Sequence, residues 1–183
     1  MPSSDTAQTL KDLYRRPGFM IRRAHQIAVA VFLEECRASG LTTTQYGVLL
    51  ILQRRPAIDQ NTLARLLGLD RSTTGLVVRK LAERGLVARP VGTRDLRRRE
   101  LRLTRAGATL LARVGKDARR AQARLLSPLP ERERGRFLDL LERLVTAFND
   151  TTRVPVDYAA GLAESGAGES KPPRPSVRRR AAR

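Results

Sequence analysis

From Pro17 to about Ala38 apolar residues recur at helical spacing, with Met20, Ala24, Ile27 and Val31 in one stripe and Ile21, Ala28 and Phe32 in a neighbouring one. The predicted helix is therefore apolar over more than one face, and Gly40 supplies its stop. Thr42-Thr43-Thr44-Gln45 reads as a capping box that opens a second helix through QYGVLLILQ, closed before Pro56. Asp59 can cap a short helix from Gln60 to Leu67, with Leu63, Leu66 and Leu67 inward and Gly68 at its exit. Asp70 then caps another, whose inward stripe is Thr74, Val77, Val78 and Leu81 and whose stop is Gly85. Two short helices joined by a tight, glycine-containing turn predict a helix-turn-helix.

After Gly85 the period changes from helical to alternating: Leu86, Val87 and Val91, then Leu101 and Leu103 two residues apart. This predicts a hairpin with strands near 86–91 and 99–104, joined by a loop that begins GTRDLRRR at Gly92. Thr104 can cap a long helix to about Leu126 that carries Leu110, Leu111, Val114, Ala118 and Leu125. Pro128 and Pro130 break it, and a last helix presents Phe137, Leu140, Leu141, Leu144, Val145 and Phe148 as an amphipathic stripe. The first helix and the last two thus flank a helix-turn-helix and hairpin that are already complete. Apolar area left in water forfeits about 25 cal/mol per Å², so a second copy of the chain is the economical cover.

The predicted fold is mainly α with a small β-hairpin wing: a winged helix-turn-helix at about 42–104, flanked by dimerisation helices at about 17–38 and 105–150. Residues 1–16 read as an N-terminal arm. Residues 151–183 read as a disordered basic tail, since from Val154 Gly, Pro, Ser and Ala dominate and from Lys171 six basic residues stand without an acid.

Charge turns this architecture toward a partner. Lysine and arginine total 36 against 18 acids, a formal charge of +18, which fits a polyanion such as nucleic acid or an anionic membrane surface. Burying the stripe of the 71–84 helix turns Arg71, Ser72, Thr73, Arg79 and Lys80 outward, where a recognition helix meets base edges and phosphates. In the hairpin loop Arg94, Arg98 and Arg99 suit a minor groove, while Asp95 can pair with Arg97 or hold backbone N–H groups and so fix the loop's shape. Gly75-Leu76 places no polar side chain in the middle of the recognition helix, although Leu76 can meet a thymine methyl.

The other chemistries have little to work with. One cysteine, Cys36, and one histidine, His25, are too few for a zinc site, and no metal or other cofactor is expected. No phosphate-cradling glycine motif or paired-carboxylate constellation marks an enzyme, so no catalytic residue is assigned. The longest apolar run, Ile27 to Leu33, is too short to span a bilayer, and the start of the chain lacks the apolar region of a signal peptide; a cytoplasmic protein without a membrane partner is expected.

Three blocks, LTTTQYGVL (41–49), LARLLGLDRSTTGLVVRKLAERGLV (63–87) and RDLRRRELRLTRAG (94–107), resemble the MarR family of transcriptional regulators. Asp95, Arg97, Leu103, Thr104 and Gly107 fall on that family's wing pattern D-x-R…L-T-x-x-G, and the similarity spans roughly 17–150. The resemblance implies a homodimer with one winged helix per subunit, terminal helices at the interface, and binding to double-stranded DNA relieved by a small, often aromatic, ligand. A twofold dimer implies a near-palindromic operator. It also implies an effector pocket between the dimer helices and the winged helix, to which Tyr46 and the first helix contribute. RPGFMIRRAHQIAVAVFLEE is similar to members tied to aromatic-acid catabolism, some of which bind aromatic acyl-CoA thioesters, and Arg22 and Arg23 suit the carboxylate or phosphate of such a ligand. His25 is either a ligand contact or a hydrogen-bonded interface residue. Cys36 matches oxidant-sensing relatives poorly, because their cysteine lies nearer the start of the chain and Glu34 and Glu35 would raise this thiol's pKa. The leading expectation is a ligand-responsive repressor; the alternative is an architectural, nucleoid-type DNA-binding protein indifferent to sequence.

Overall fold

A computed structural model describes residues 10–90 and 100–162. Arg94, Asp95, Arg97, Arg98 and Arg99 lie outside the described residues. The order is α1 (Leu10–Tyr14), α2 (Pro17–Glu35), α3 (Thr43–Arg54), β1 (Ile58–Asp59), α4 (Gln60–Leu67), α5 (Arg71–Glu83), β2 (Val87–Ala88), β3 (Glu100–Leu103), α6 (Arg105–Leu126), α7 (Glu131–Ala147) and α8 (Tyr158–Leu162). Short 3₁₀ turns, Arg37–Ser39 and Asn149–Thr151, come after α2 and α7.

The caps form where the sequence places them. Thr42 Oγ1 accepts from the Gln45 N–H at 3.2 Å while Gln45 Oε1 accepts from the Thr42 N–H at 3.1 Å, the reciprocal pair that opens α3. Asp59 Oδ1 accepts from the N–H groups of Asn61 and Thr62 at the start of α4. Asp70 Oδ1 accepts from the Thr73 N–H at 2.8 Å and its Oδ2 from the Thr73 hydroxyl at 2.7 Å at the start of α5.

The core gathers where α3, α4, α5 and β3 meet. Val48, Leu49, Leu63, Val78, Leu81 and Leu101 are fully buried there, and α6 adds Leu111, Val114 and Ala118. Thr74 and Val78 of the expected α5 stripe are buried, whereas Val77 is only half-buried.

The wing differs from the expected two-stranded hairpin. β1 joins it, giving the order β1-β3-β2 with all pairs antiparallel, Ile58 opposite Leu101 and Val87 opposite Leu103. Two residues are too few to show a period, so only the pairing to β3 makes β1 a strand. Among the described residues β2 is also shorter than expected, ending at Ala88.

Thr104 ties the wing to α6. Its N–H donates to the Leu86 carbonyl at 3.1 Å, its hydroxyl donates to the Gly85 carbonyl at 2.7 Å, and the same oxygen accepts from the Gly107 N–H at 3.0 Å. A Cβ on Gly107 would overlap the Leu86 carbonyl oxygen and lie 2.8 Å from Leu103 Cδ1, so only glycine lets α6 pass this close to the wing.

Polar links tie α2 and the turn after it to α5 and to α6. Arg84, which caps the end of α5, donates to the carbonyls of Ser39 at 2.8 Å and Gly40 at 2.9 Å, beyond α2. Arg124 of α6 pairs with Glu34 and Glu35 of α2 at 2.8 and 3.0 Å, and Arg120 reaches Glu35 at 3.4 Å. The Arg124 hydrogen bond is the main reason the Glu35 carboxyl sits below its usual range.

Residues 151–162 of the expected disordered tail are ordered, and the remainder of that tail lies outside the described residues. The chain stays folded to Leu162, because Asn149 holds both backbone groups of Val156 and the Asp157 N–H donates to the Arg65 carbonyl of α4. The expected N-terminal arm likewise contains α1, whose Tyr14 ring lies 5.2 Å from that of Phe19.

The Asp70 cap makes a pH prediction. Hydrogen bonds from Thr73, first its backbone N–H and then its hydroxyl, lower the Asp70 pKa. A folded pKa below the unfolded one, near 3.9, adds stability that is complete above the unfolded value and lost as pH falls through the folded value. Asp70→Asn keeps an N-capping side chain without the charge. Its melting temperature should therefore fall less than that of the parent between pH 6 and pH 3, and identical pH profiles would remove the link.

Candidate nucleic-acid interface and ligand cleft

The outward face of α5 borders an open groove walled by Gln60, Arg71, Ser72, Gly75, Leu76, Arg79 and Arg89. Three guanidinium groups therefore approach one polar concavity with an exposed serine hydroxyl, an arrangement able to hold phosphate oxygens and reach guanine edges. Arg71, Ser72 and Arg79 come together as the helical spacing predicts. Lys80 is exposed on the same helix but is not a wall of this groove, and the Thr73 hydroxyl is engaged with Asp70.

Two groove residues escape the sequence pattern. Arg89 comes directly after β2 and enters because the strand aims it beside α5; a basic residue at the foot of the hairpin is the available signal. Gln60, at the start of α4, donates from Nε2 to the Arg71 carbonyl at 3.2 Å. A Cβ on Gly75 would come 3.0 Å from that same nitrogen, so the glycine that weakens direct readout makes room for the glutamine.

A second concavity, about 290 Å³, lies between α2, α3 and α6. Its apolar walls include Ala28, Val29, Phe32, Ala118, Ala121 and Leu125; His25, Thr43, Tyr46 and Gln122 supply polar atoms. The rings of Phe32 and Tyr46 stand 5.4 Å apart at 49°, a tilted aromatic corner. Burial pushes the Tyr46 phenol up, which keeps it protonated at neutral pH and able to donate.

His25 and Tyr46 thus meet in one cleft, as expected, but Arg22 and Arg23 are not among its walls. They lie on the exposed face of α2, where the Arg22 guanidinium sits 4.9 Å from the Phe19 ring centroid and Arg23 donates to Gln26 Oε1 at 3.3 Å. Cys36 is buried, and burial followed by the charges of Asp117 and Glu35 raises its pKa. A buried, protonated thiol is a poor nucleophile, which argues against oxidant sensing.

Comparison with known proteins decides the family. The MarR family profile matches residues 41–98. The chain is 33% identical over 135 residues to a protein of Thauera aromatica described as a transcriptional regulatory protein for the hcr operon, covering 73% of this chain and 81% of that one. The chain belongs to the MarR family. Solved relatives agree with this MarR regulator in fold. PcaV from Streptomyces coelicolor, in complex with its natural ligand, is 35% identical with a TM-score of 0.66 over 74% of this chain and 96% of PcaV. The transcriptional repressor CouR, bound to a 23-mer DNA duplex, is 30% identical with a TM-score of 0.70 over 75% of this chain and 97% of CouR. CouR has also been solved bound to p-coumaroyl-CoA, with a TM-score of 0.69. The winged helix of this MarR-family regulator is thus a DNA-binding unit, and no helix among its described residues is long and apolar enough to cross a membrane.

Proposed function

We propose that this MarR-family chain is a homodimeric repressor of a near-palindromic operator and that a small aromatic acid, free or as its acyl-CoA thioester, releases it. The carrying observation is the aromatic cleft of His25, Phe32 and Tyr46, set between α2 and α6 on one side and the DNA-binding unit on the other. Dimerisation is supported by α7, where Phe137, Leu140, Leu141, Leu144 and Val145 are all exposed in the single chain together with Phe148 just after the helix, and by exposed Met20 and Ile27 on α2. A twofold pair would offer two α5 helices to half-sites about 34 Å apart. Arg71, Ser72, Arg79 and Arg89 would line the contact with DNA, Lys80 would reach a phosphate from outside the groove, and the Thr73 hydroxyl oxygen could still accept. Arg94, Arg98 and Arg99 would add wing contacts, shaped by Asp95 and Arg97.

The cleft is near the small end of ligand sites, roughly 300 Å³ and above, so it suits a single substituted ring. Tyr46, His25, Thr43 and Gln122 can orient a carboxylate, phenol or thioester oxygen. Any nucleotide portion would lie outside, where Arg22 and Arg23 are exposed. Release then results from a ligand that favours a spacing of the two winged helices unsuited to the half-sites, with a coupling typically of 1–3 kcal/mol.

Selection of bound duplexes from a random pool, followed by titration with aromatic acids and their CoA esters, tests this reading. A preference for the selected site below about tenfold would favour an architectural protein; a complex that no aromatic compound releases would remove the effector. His25→Ala and Tyr46→Phe should each raise the effector concentration for half-release by about tenfold while changing operator affinity less than twofold.

A further inference from the structure

The amide of Gln60 occupies a place that belongs, by helical geometry, to another residue. Ser72, Gly75, Leu76 and Arg79 recur at helical spacing on the outward face of α5, the face a recognition helix turns to base edges. Position 75 sits within that face and has no side chain to present. Gln60, from the start of α4, fills the gap: a Cβ on Gly75 would lie 3.0 Å from its Nε2, 3.8 Å from its Cδ and 3.9 Å from its Oε1. The glutamine therefore walls the same open groove as the α5 residues, standing where a side chain of residue 75 would stand.

The amide is also held in one orientation. Its Nε2 donates to the Arg71 carbonyl at 3.2 Å, and a carbonyl only accepts, so the nitrogen and not the oxygen must face α5. That bond uses one of the two N–H groups. Among the described residues the second N–H and Oε1 have no other partner. A donor and an acceptor on one amide match adenine, whose N7 accepts and whose N6 donates in the major groove. Because the hydrogen bond fixes the side chain before DNA arrives, less rotamer freedom is lost on binding than for a loose glutamine. Exposed Leu76 in the same groove suits a thymine methyl, so both side chains favour A·T pairs.

We infer that Gln60 is a base-reading residue of this regulator, delivered from α4 through the gap at Gly75 to an adenine in the major groove. The inference rests on the proposed binding of α5 to an operator, and it adds the residue and the base that set the preference at one position. Gly75 removes a reading side chain from the recognition helix and, by the same absence, admits one from its neighbour.

The test puts the full chain, Gln60→Ala and Gly75→Ala each through selection from a random pool of duplexes. Affinities are then measured on the parent's selected duplex with 7-deazaadenine, which lacks N7 but still pairs with thymine, replacing adenine one position at a time. The parent should lose about fivefold or more at one adenine position, the effect of leaving a buried donor without its acceptor. Gln60→Ala should be indifferent to the analogue there, and its selected duplexes should lose the preference for adenine at that position alone. Gly75→Ala should behave in the same way, because its methyl would stand well inside ordinary packing distance of Nε2 and push the amide aside. Its fold should survive, since a flexible side chain yields and alanine favours a helix. Gln60→Met, of similar length without the amide, takes the place of Gln60→Ala if melting shows the latter unfolded. A parent indifferent to the analogue at every adenine overturns the proposal, as does a Gln60→Ala protein that selects the parent's site. A Gln60→Ala protein weakened equally on every duplex also overturns it, and makes Gln60 a brace of α5 or a phosphate contact. Parent-like selection by Gly75→Ala overturns the part given to the glycine. If the parent selects no preferred duplex, the operator reading fails and this inference falls with it; if the parent selects a site that Gln60→Ala reads unchanged, this inference alone fails.

Discussion

Gly107→Ala should lower the unfolding free energy by about 3 kcal/mol, the upper end of the cost of overpacking a tight site. The new methyl would overlap the Leu86 carbonyl oxygen, and neither side can easily retreat. That carbonyl is held by the Thr104 N–H, and the Gly107 N–H is held by the Thr104 hydroxyl, which in turn donates to the Gly85 carbonyl. Moving α6 away would break the cap that starts it and detach β3 from the end of α5. The same helix contains its own control in Gly115, where a Cβ would meet nothing nearer than an Arg119 guanidinium nitrogen at 3.8 Å. Gly115→Ala should stabilise the chain, by up to about 1 kcal/mol, through helix propensity. Urea titrations of the three proteins at one protein concentration measure both effects. Equal midpoints for Gly107→Ala and the parent would show that the wing tolerates the methyl.

If the proposed dimer forms through α7, Leu144→Glu should leave the chain monomeric and weaken operator binding by a hundredfold or more. α7 buries none of its residues within the single chain, and Leu144 is 40% exposed there, so in an isolated chain the substitution would change stability by no more than about 0.5 kcal/mol. In a dimer it would place a carboxylate in an apolar interface at two symmetry-related positions. Linking two recognition helices raises affinity by about 10²–10⁴ over either alone, and loss of the pair removes that gain. Light scattering at micromolar concentration and gel shifts with one and two half-sites separate the outcomes. A Leu144→Glu protein that remains dimeric and binds as the parent does would place the interface elsewhere.

The sequence is most legible where local chemistry alone determines structure. Thr42 with Gln45, Asp59, Asp70 and Thr104 cap helices at the predicted residues because a cap needs only a neighbour two or three positions away. The apolar stripe of α7 is legible for a similar reason, since helical period decides which residues share a side. Contacts between distant segments are harder to see. β1 exists through pairing with a strand some forty residues later. Residues 151–162 read as tail by composition, and their order depends on the absence of a side chain at Gly68 and on one amide at Asn149. The same holds for the sites. His25 and Tyr46 are legible through a family resemblance and do share a cleft, but which face of α2 turns inward depends on α6, and that choice leaves Arg22 and Arg23 outside.

Arg84 bears on how the two ends of the molecule are joined. One planar guanidinium gripping two successive carbonyls fixes separation and tilt together, which a lysine ammonium with its flexible stem does not. The tail of the recognition helix and the exit of the cleft-lining helix are geared to each other. Displacing one without the other must break two hydrogen bonds donated by a charged group.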